Sequence, residues 1–299
     1  MNIQKPFLKW IGGKTQLIKD IIKYIPDKIN NYHEIFLGGG SILFLILSLQ
    51  REGKINIKKD IYAYDLNEIL INTYKNIQQN KDELYCFIQK YMNIYENIDG
   101  DIINKKPQTE EEALSSKESY YYWIRKEFNN MDNSLVEKSA LFIILNKLCF
   151  RGMYREGPNG FNVPFGHYKK TPTIITEEEL NNINNLIKNV KFIVSNFKES
   201  IKKVKKNDFV YLDPPYVPEN KQSFVGYTVD GFTKETHLKL FELIDNLNEK
   251  GIKILLSNSN VKLVTEYFKE YKIEEIEARR AINSKNPASK TIEVLIINL

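Results

Sequence analysis

The sequence predicts an α/β protein built on a seven-stranded, mostly parallel sheet. Near the start, a strand-like stretch at 34–37, a Gly-Gly-Gly-Ser turn and an apolar helix precede a second strand at 61–65. This strand–turn–helix–strand succession is typical of a parallel α/β unit. Strand-like stretches resume after residue 190, and helical stretches such as 234–249 separate several of them. The seven expected strands span residues 34–37, 61–65, 192–194, 208–212, 252–256, 271–278 and 292–297.

The middle of the chain predicts a second, helical domain. Residues 71–148 show helical spacing of apolar side chains and no convincing strand, and residues 151–170 are rich in Gly, Pro, Asn and aromatics. We therefore expect a discontinuous domain of residues 1–70 and 177–299. The insert, residues 71–176, would carry a β-hairpin at about 150–168.

Composition excludes several classes of protein. Of the 299 residues, 42% are apolar and 27% charged, which suits an ordinary folded chain rather than a disordered one. Two Cys and three scattered His argue against a disulfide framework and a metal centre. The longest apolar run is far shorter than the roughly 18 residues that span a membrane. We expect a cytoplasmic, intracellular protein that uses neither membrane nor metal.

The strongest chemical motif is Asp213-Pro214-Pro215-Tyr216, directly after a predicted strand. Ligands of an open α/β sheet bind beyond the carboxyl ends of its strands. The two prolines fix the backbone, so the Pro214 carbonyl is a rigid acceptor beside the Asp213 carboxylate. Two acceptors next to a flat tyrosine ring suit a planar base that carries an exocyclic amino group.

Two further motifs favour a nucleotide-like cofactor. Glycines 38–40 stand between a strand and a helix, where the backbone approaches a ligand closely, and Asp65 ends the next strand, where an acid commonly binds ribose hydroxyls. Lys9-Trp10-Ile11-Gly12-Gly13-Lys14 precedes the first helix, and its spacing is not that of a phosphate-binding P-loop.

The excess of positive charge, +5 overall, is concentrated in the predicted hairpin. Residues 147–170 contain five Lys or Arg and one acid, interleaved with aromatic side chains. Such a pattern suits phosphate contact combined with base stacking. A second basic run, 202–206, is interpreted as a solvated surface before a buried strand.

With these motifs in this order, nearly the whole chain resembles the Dam-like DNA adenine N6-methyltransferases, the α-group, D12-type family. The shared motifs are Lys-Trp-x-Gly-Gly-Lys, Phe-x-Gly-Gly-Gly, Asn-Val-Pro-Phe-Gly and Asp-Pro-Pro-Tyr. The resemblance implies a class I, Rossmann-like methyltransferase domain with a target-recognition insert. It also implies methyl transfer from S-adenosyl-L-methionine, with S-adenosyl-L-homocysteine as product, to adenine in double-stranded DNA. A cognate restriction endonuclease is a candidate protein partner.

The resemblance also assigns roles to particular residues. The catalytic motif is Asp213, Pro214, Pro215 and Tyr216. The residues expected to bind the cofactor are Trp10, Gly12, Lys14, Phe36, Gly38, Gly40, Asp65, Asn196, Phe197 and Asp213. The residues expected to contact DNA are Lys9, Phe150, Arg151, Met153, Arg155, Asn162, Pro164 and Lys169.

Among the DNA contacts, Lys9 would approach the outer base pair, Phe150 would intercalate beside the flipped base, and Arg155 and Pro164 would read bases. Arg151 departs from the Asn that GATC-methylating relatives commonly carry, and the hairpin tip at 156–160 differs in spacing. The expected target is therefore GATC or a related site.

The implied chemistry explains the scarcity of Cys and His. Adenine must leave the duplex to be reached, and hydrogen bonds from N6 to Asp213 and the Pro214 carbonyl would localise its lone pair. Methylation of cytosine C5 would instead need a Pro-Cys nucleophile, but Leu148 precedes Cys149 and Tyr85 precedes Cys86.

Other functions stay open at this point. One is a methyltransferase acting on RNA or on a small amine, although the basic hairpin argues against the small substrate. Another is a non-catalytic DNA-binding relative, against which the intact motif at 213–216 argues. A nucleotide-dependent oxidoreductase is disfavoured because the full Gly-x-Gly-x-x-Gly pattern is missing.

Overall fold

A seven-stranded sheet forms the centre of the first of two compact units. The computed structural model describes residues 3–218, 232–279 and 290–298. The first unit draws on Met1–Lys5, Gly12–Leu66 and Asn189–Leu299. Its strands are β1 (Tyr32–Glu34), β2 (Ile61–Asp65), β3 (Val190–Val194), β4 (Phe209–Leu212), β5 (Lys253–Ser259), β6 (Lys272–Arg279) and β7 (Lys290–Ile297).

The spatial order of the strands is β6-β7-β5-β4-β1-β2-β3. Strands β3, β2, β1, β4 and β5 run parallel, whereas β7 is antiparallel to both β5 and β6. The prediction of an α/β fold with a mostly parallel sheet of seven strands is thus confirmed. A two-residue parallel pair, Lys28–Ile29 with Asn56–Ile57, lies outside this sheet.

Two helices show why the sequence folds around this sheet. Helix α2 (Ser41–Arg51) has nine buried residues, because a helix that is apolar on every side has no face for water. Helix α10 (Lys234–Glu249) is amphipathic, and Thr233 caps it by accepting the Thr236 N–H. Its apolar side joins the core formed by the central strands. The other helices of the unit are α1 (Ile18–Ile21), α9 (Phe197–Ile201) and α11 (Lys262–Tyr267), with 3₁₀ turns at Lys14–Leu17 and Ile22–Tyr24.

Strand β1 ends at Glu34, three residues before the end predicted at 37. Its hydrogen bonding continues at alternate residues, because the Ile35 N–H donates to the Tyr211 carbonyl and the Leu37 N–H to the Tyr64 carbonyl. The segment 35–37 therefore remains attached to both neighbouring strands while it curves into the glycine turn.

The second unit comprises Pro6–Ile11 and Asn67–Lys188. It extends beyond the expected boundary at 176, because the helix Glu177–Ile187 packs against the helices Glu68–Gln79 and Lys81–Glu96. Its helices are α3 (Glu68–Gln79), α4 (Lys81–Glu96), α5 (Glu110–Ala113), α6 (Lys117–Asn130), α7 (Val136–Leu148) and α8 (Glu177–Ile187).

One face of α6 holds the basic hairpin. The hairpin contains two short antiparallel strands, Glu156–Gly157 and Gly160–Phe161. Tyr121 and Arg125 both donate to the Val163 carbonyl, at 2.8 and 3.1 Å. One turn further along, Asn129 exchanges two hydrogen bonds with the Phe161 backbone. The four-residue spacing places all three side chains on one side of the helix.

No helix within residues 3–218, 232–279 and 290–298 is both long and apolar enough to cross a membrane.

Candidate active site and nucleic-acid interface

Asp213 emerges from the end of β4 and pairs with a lysine from the other end of the chain. Lys14 Nζ lies 2.8 Å from Asp213 Oδ2, and the same ammonium donates to the Gly12 carbonyl at 2.6 Å. The Lys14 side chain is 6% exposed and that of Asp213 is 19% exposed. The site thus joins two motifs that are about 200 residues apart.

The environment of Asp213 favours retention of a proton more than water does. Burial raises the pKa of Asp213 to about 6, Lys14 opposes that rise, and the charge of Glu293 adds to it. Its second oxygen, Oδ1, is buried and has no hydrogen-bond partner among the described residues. An acceptor of this kind is available to a donor on a bound molecule.

The Tyr216 side chain has two contacts, one at its ring and one at its hydroxyl. Lys14 Nζ lies 4.8 Å from the centre of its ring, a cation–π distance. The Tyr216 hydroxyl donates to Glu293 Oε2 at 2.7 Å. Between Asp213 and Tyr216 in the chain, Pro214 is buried and Pro215 is half-buried. Within the part of the chain that the structure describes, the motif predicted from sequence thus holds one carboxylate oxygen without a hydrogen-bond partner.

The chain leaves this motif through a second set of polar contacts. The Val217 N–H donates to Asn258 Oδ1 at 3.1 Å, and the Ser259 hydroxyl donates to the Val217 carbonyl. Sequence reasoning missed Asn258, Ser259 and Glu293. The polar run Ser-Asn-Ser-Asn at 257–260, which ends an apolar strand, is the signal that could have indicated the first two.

The glycine turn is tied to the neighbouring strand end. The Gly38 N–H donates to Asp65 Oδ2 at 2.9 Å. Gly40 precedes α2 with φ of 71°, a left-handed conformation that glycine adopts at little cost. Gly38 is also left-handed, with φ of 49°. The two features that sequence analysis assigned to a cofactor are thus in direct contact.

An aromatic cluster stands beside this turn. The ring of Phe36 lies 6.1 Å from that of Phe197 and 6.2 Å from that of Phe232. Asn196 caps α9, because its Oδ1 accepts the Glu199 N–H at 3.0 Å. Gly12, with φ of 80°, precedes the Lys14 turn.

Trp10 lies in the second unit, whereas the other residues assigned to the cofactor lie in the first. Its indole stacks on Tyr154, with centroids 5.6 Å apart, and meets the edge of Phe142. Trp10 is thereby anchored to the base of the hairpin.

Lys9 is embedded in the same part of the second unit. Its backbone exchanges two 2.8 Å hydrogen bonds with the Asn146 side chain. Its ammonium lies 3.3 Å from the Tyr168 hydroxyl and 4.6 Å from the centre of that ring. At Gly152, with φ of 65°, a Cβ would lie 2.3 Å from Lys9 Cβ, so glycine is required there.

Phe150 and Arg151 form an exposed corner. The Phe150 side chain is 45% exposed although its N–H donates to the Pro164 carbonyl at 2.8 Å. Arg151 adopts φ of 58°, which is unusual outside glycine, and its guanidinium lies 5.2 Å from the Phe150 ring. The corner therefore presents a large apolar ring and a cation to solvent.

The remaining residues assigned to DNA line the hairpin. Arg155 Nε donates to Asn162 Oδ1 at 2.6 Å, so Asn162 orients the guanidinium. Pro164 and Lys169 are exposed, and Met153 is half-buried. Lys9, Phe150 and these residues all belong to the second unit, although residue 9 was expected in the domain of residues 1–70.

No group of three or more His, Cys, Asp or Glu suited to a metal ion occurs among the residues that the structure describes.

Comparisons with known proteins identify one family. The model of the D12 class N6 adenine-specific DNA methyltransferases matches residues 10–282. The chain is 36% identical to the type II methyltransferase M.MjaIII of Methanocaldococcus jannaschii, across 98% of this chain and 99% of that protein. It is 32% identical to the type II methyltransferase M1.LlaDCHI of Lactococcus lactis subsp. cremoris, across 98% and 95%. It is 29% identical to the DNA adenine methylase of Escherichia coli K12, across 99% and 95%.

Proposed function

Since this chain belongs to the D12 class of N6 adenine-specific DNA methyltransferases, we propose that it transfers a methyl group from S-adenosylmethionine to N6 of an adenine flipped out of duplex DNA. The target would be a short specific sequence, GATC or a related site. One observation carries the proposal: Asp213 gives Oδ2 to Lys14 and keeps Oδ1 unpaired among the described residues, at the end of a central strand.

Several groups of the first unit would suit S-adenosylmethionine. Asp65 supplies a carboxylate for ribose hydroxyls, at the point where it also fixes the Gly38 N–H. Glycines 38 and 40 leave the turn without side chains, so a ligand can approach the backbone. Phe36 and Phe197 offer apolar rings for an adenine base. When bound, S-adenosylmethionine supplies an electrophilic methyl group on a sulfonium.

The chain's own residues would prepare adenine for attack. Asp213 Oδ1 would accept a hydrogen bond from N6, which localises the nitrogen lone pair and stabilises positive charge as it develops there. Tyr216 would stack on the base, held by its contacts with Lys14 and Glu293. Once the methyl group is on N6, Oδ1 would accept the N6 proton that is released. The groups are positioned before reaction, so much of the acceleration comes from orientation.

The second unit would recognise the target sequence. Its hairpin region presents Arg151, Arg155 and Lys169 as exposed cations, and the Phe150 ring is also exposed, with the Arg151 guanidinium 5.2 Å from its centre. Arginines can read guanine in the major groove, and an apolar wedge can fill the space left by a flipped base. We propose a class I methyltransferase domain combined with a helical target-recognition domain. The names of two relatives make a restriction-linked role, with a cognate endonuclease as partner, part of the same proposal.

The direct test is methyl transfer by the purified protein. With radiolabelled S-adenosylmethionine, we expect label in duplex DNA that lacks N6-methyladenine, and modification-sensitive sequencing of that DNA should report one short target. The variant Asp213→Ala should lose transfer while still folding, as judged by circular dichroism. Full activity in that variant would refute the role of Asp213.

Two parallel reactions separate this proposal from its alternatives. Preferential labelling of RNA over duplex DNA would favour an RNA methyltransferase. Duplex binding without any transfer to DNA or RNA would favour a non-catalytic DNA-binding protein.

A further inference from the structure

Glu293 reaches the Asp213 site from a distant strand. It lies on β7, where it pairs with Ser259 of β5 on one side and Ile276 of β6 on the other. Its side chain accepts the Tyr216 hydroxyl at 2.7 Å. Seventy-seven residues separate the two partners along the chain, so only the strand order brings them together.

We propose that Glu293 is a positioning residue, whose carboxylate holds the Tyr216 ring against Lys14 as the surface on which the flipped adenine stacks. This inference rests on the proposed function and adds a residue to it. Without Glu293, the phenol would lose this acceptor, and the ring could rotate away from the Lys14 ammonium, which lies 4.8 Å from its centre.

Glu293 has a second, electrostatic effect on the same site. Its charge raises the pKa of Asp213, which Lys14 lowers. Of the other groups that interact with Asp213, Tyr211 and Tyr216 have pKa values raised well above 10 by burial. These phenols are therefore neutral at physiological pH.

Glu34, on β1, is the other carboxyl that interacts with Asp213. It is buried, which raises its pKa well above the usual range, and it accepts the Tyr32 hydroxyl at 2.7 Å. Burial thus favours its uncharged form. Lys14 and Glu293 are therefore the two charged groups that act on Asp213, and they shift its pKa in opposite directions.

Three substitutions separate the hydrogen bond from the charge. Glu293→Gln keeps an oxygen that can accept from Tyr216 but removes the charge. Glu293→Leu removes both, and Tyr216→Phe removes only the donor. Glu275→Gln is the control, because Glu275 is an exposed carboxylate on the adjacent strand β6.

The expected kinetics distinguish positioning from a purely structural role. At pH 8, Glu293→Gln should keep kcat within roughly twofold of the wild type, while the acidic limb of its pH–rate profile moves to lower pH. Glu293→Leu and Tyr216→Phe should each lower kcat by roughly tenfold or more with little change in KM, and the double variant should be no slower than Glu293→Leu. The Glu275→Gln profile should match the wild type.

Other outcomes would overturn the inference. Additive losses in the double variant, or wild-type kcat in Glu293→Leu, would show that the Tyr216–Glu293 contact does not position the ring. If the acidic limb of the pH–rate profile does not move in Glu293→Gln, the charge of Glu293 has no effect on Asp213, and that part of the inference is refuted.

A measurement on the free enzyme keeps this test independent of activity. The carboxyl carbon of Asp213, labelled with ¹³C-aspartate and assigned by its loss in Asp213→Asn, should titrate at lower pH in Glu293→Gln than in the wild type. If the wild type transfers no methyl group, the proposed function fails. An unchanged titration in Glu293→Gln would instead refute the placement of Glu293 beside Asp213, whatever the activity.

Discussion

Lys14 binds one of the two carboxylate oxygens of Asp213. The ammonium nitrogen lies 2.8 Å from Oδ2, and Oδ1 is buried without a hydrogen-bond partner among the described residues. A single cation from the start of the chain therefore orients the carboxylate and also favours its ionised form in a buried site.

The pH dependence of methyl transfer should follow this pair. The ionised form of Asp213 is the acceptor, and its pKa of about 6 predicts a rate that rises through about pH 6 and levels off above it. Lys14 lowers that pKa, so Lys14→Met should move the acidic limb to higher pH. Rates at saturating cofactor across pH 5–9 provide the measurement. The exposed Lys19→Met is the control, and an identical limb in both variants would contradict the role of Lys14.

A buried histidine predicts acid sensitivity of the fold. His237 packs against Phe232, with ring centroids 4.6 Å apart, and neither ring nitrogen has a hydrogen-bond partner among the described residues. Burial lowers its pKa from 6.5 to about 4. The unfolded chain therefore binds this proton more readily, so stability present above pH 6.5 is lost as the pH falls towards 4. The loss is on the order of 3 kcal/mol.

Denaturant unfolding at pH 7.5 and pH 5 measures this effect. His237→Leu should lessen the loss of unfolding free energy between the two pH values. His167→Leu, at an exposed position, should not. An undiminished loss in His237→Leu would assign the acid sensitivity to other groups.

Substitutions of Arg151 should change the stability of the fold and the binding of DNA in different ways. Its φ of 58° is a left-handed conformation that costs a non-glycine residue about 1 kcal/mol. Arg151→Gly should therefore be more stable than Arg151→Ala by about that amount. If the side chain contacts DNA, both variants should bind duplex equally weakly. Thermal unfolding and fluorescence anisotropy give the two quantities, and equal stabilities would argue against strain at this position.

Two cations of the hairpin should affect recognition differently. Arg155 is oriented by Asn162, which suits base reading, so Arg155→Ala should relax the sequence preference at one base pair, by about 1–3 kcal/mol. Lys169 is exposed and suits a phosphate contact, so Lys169→Ala should weaken binding to all sequences and reduce the salt slope by about one. Sequencing of methylated DNA pools tests the prediction for Arg155, and binding measured over a range of salt concentrations tests that for Lys169. A uniform loss in Arg155→Ala would remove it from the base-reading set.

The sequence by itself determined the local elements and the chemistry at their ends. Apolar spacing predicted the strands of the sheet, and the predicted helix 234–249 is the observed α10. The motif at 213–216 could be assigned to the end of a strand because the apolar run Phe-Val-Tyr-Leu precedes it directly. These features depend on neighbours within a few residues, which is the range over which sequence pattern carries information.

Only the tertiary structure decided which distant side chains meet. Lys14, Asp213 and Glu293 come from a turn and two strands, and the crossovers of the chain place β4 next to β5 and β5 next to β7. The raised pKa of Asp213 likewise depends on burial and on charges that no spacing in the sequence reveals. Periodicity fixes which face of a strand is buried, but the order of strands in the sheet is set by packing of the whole domain.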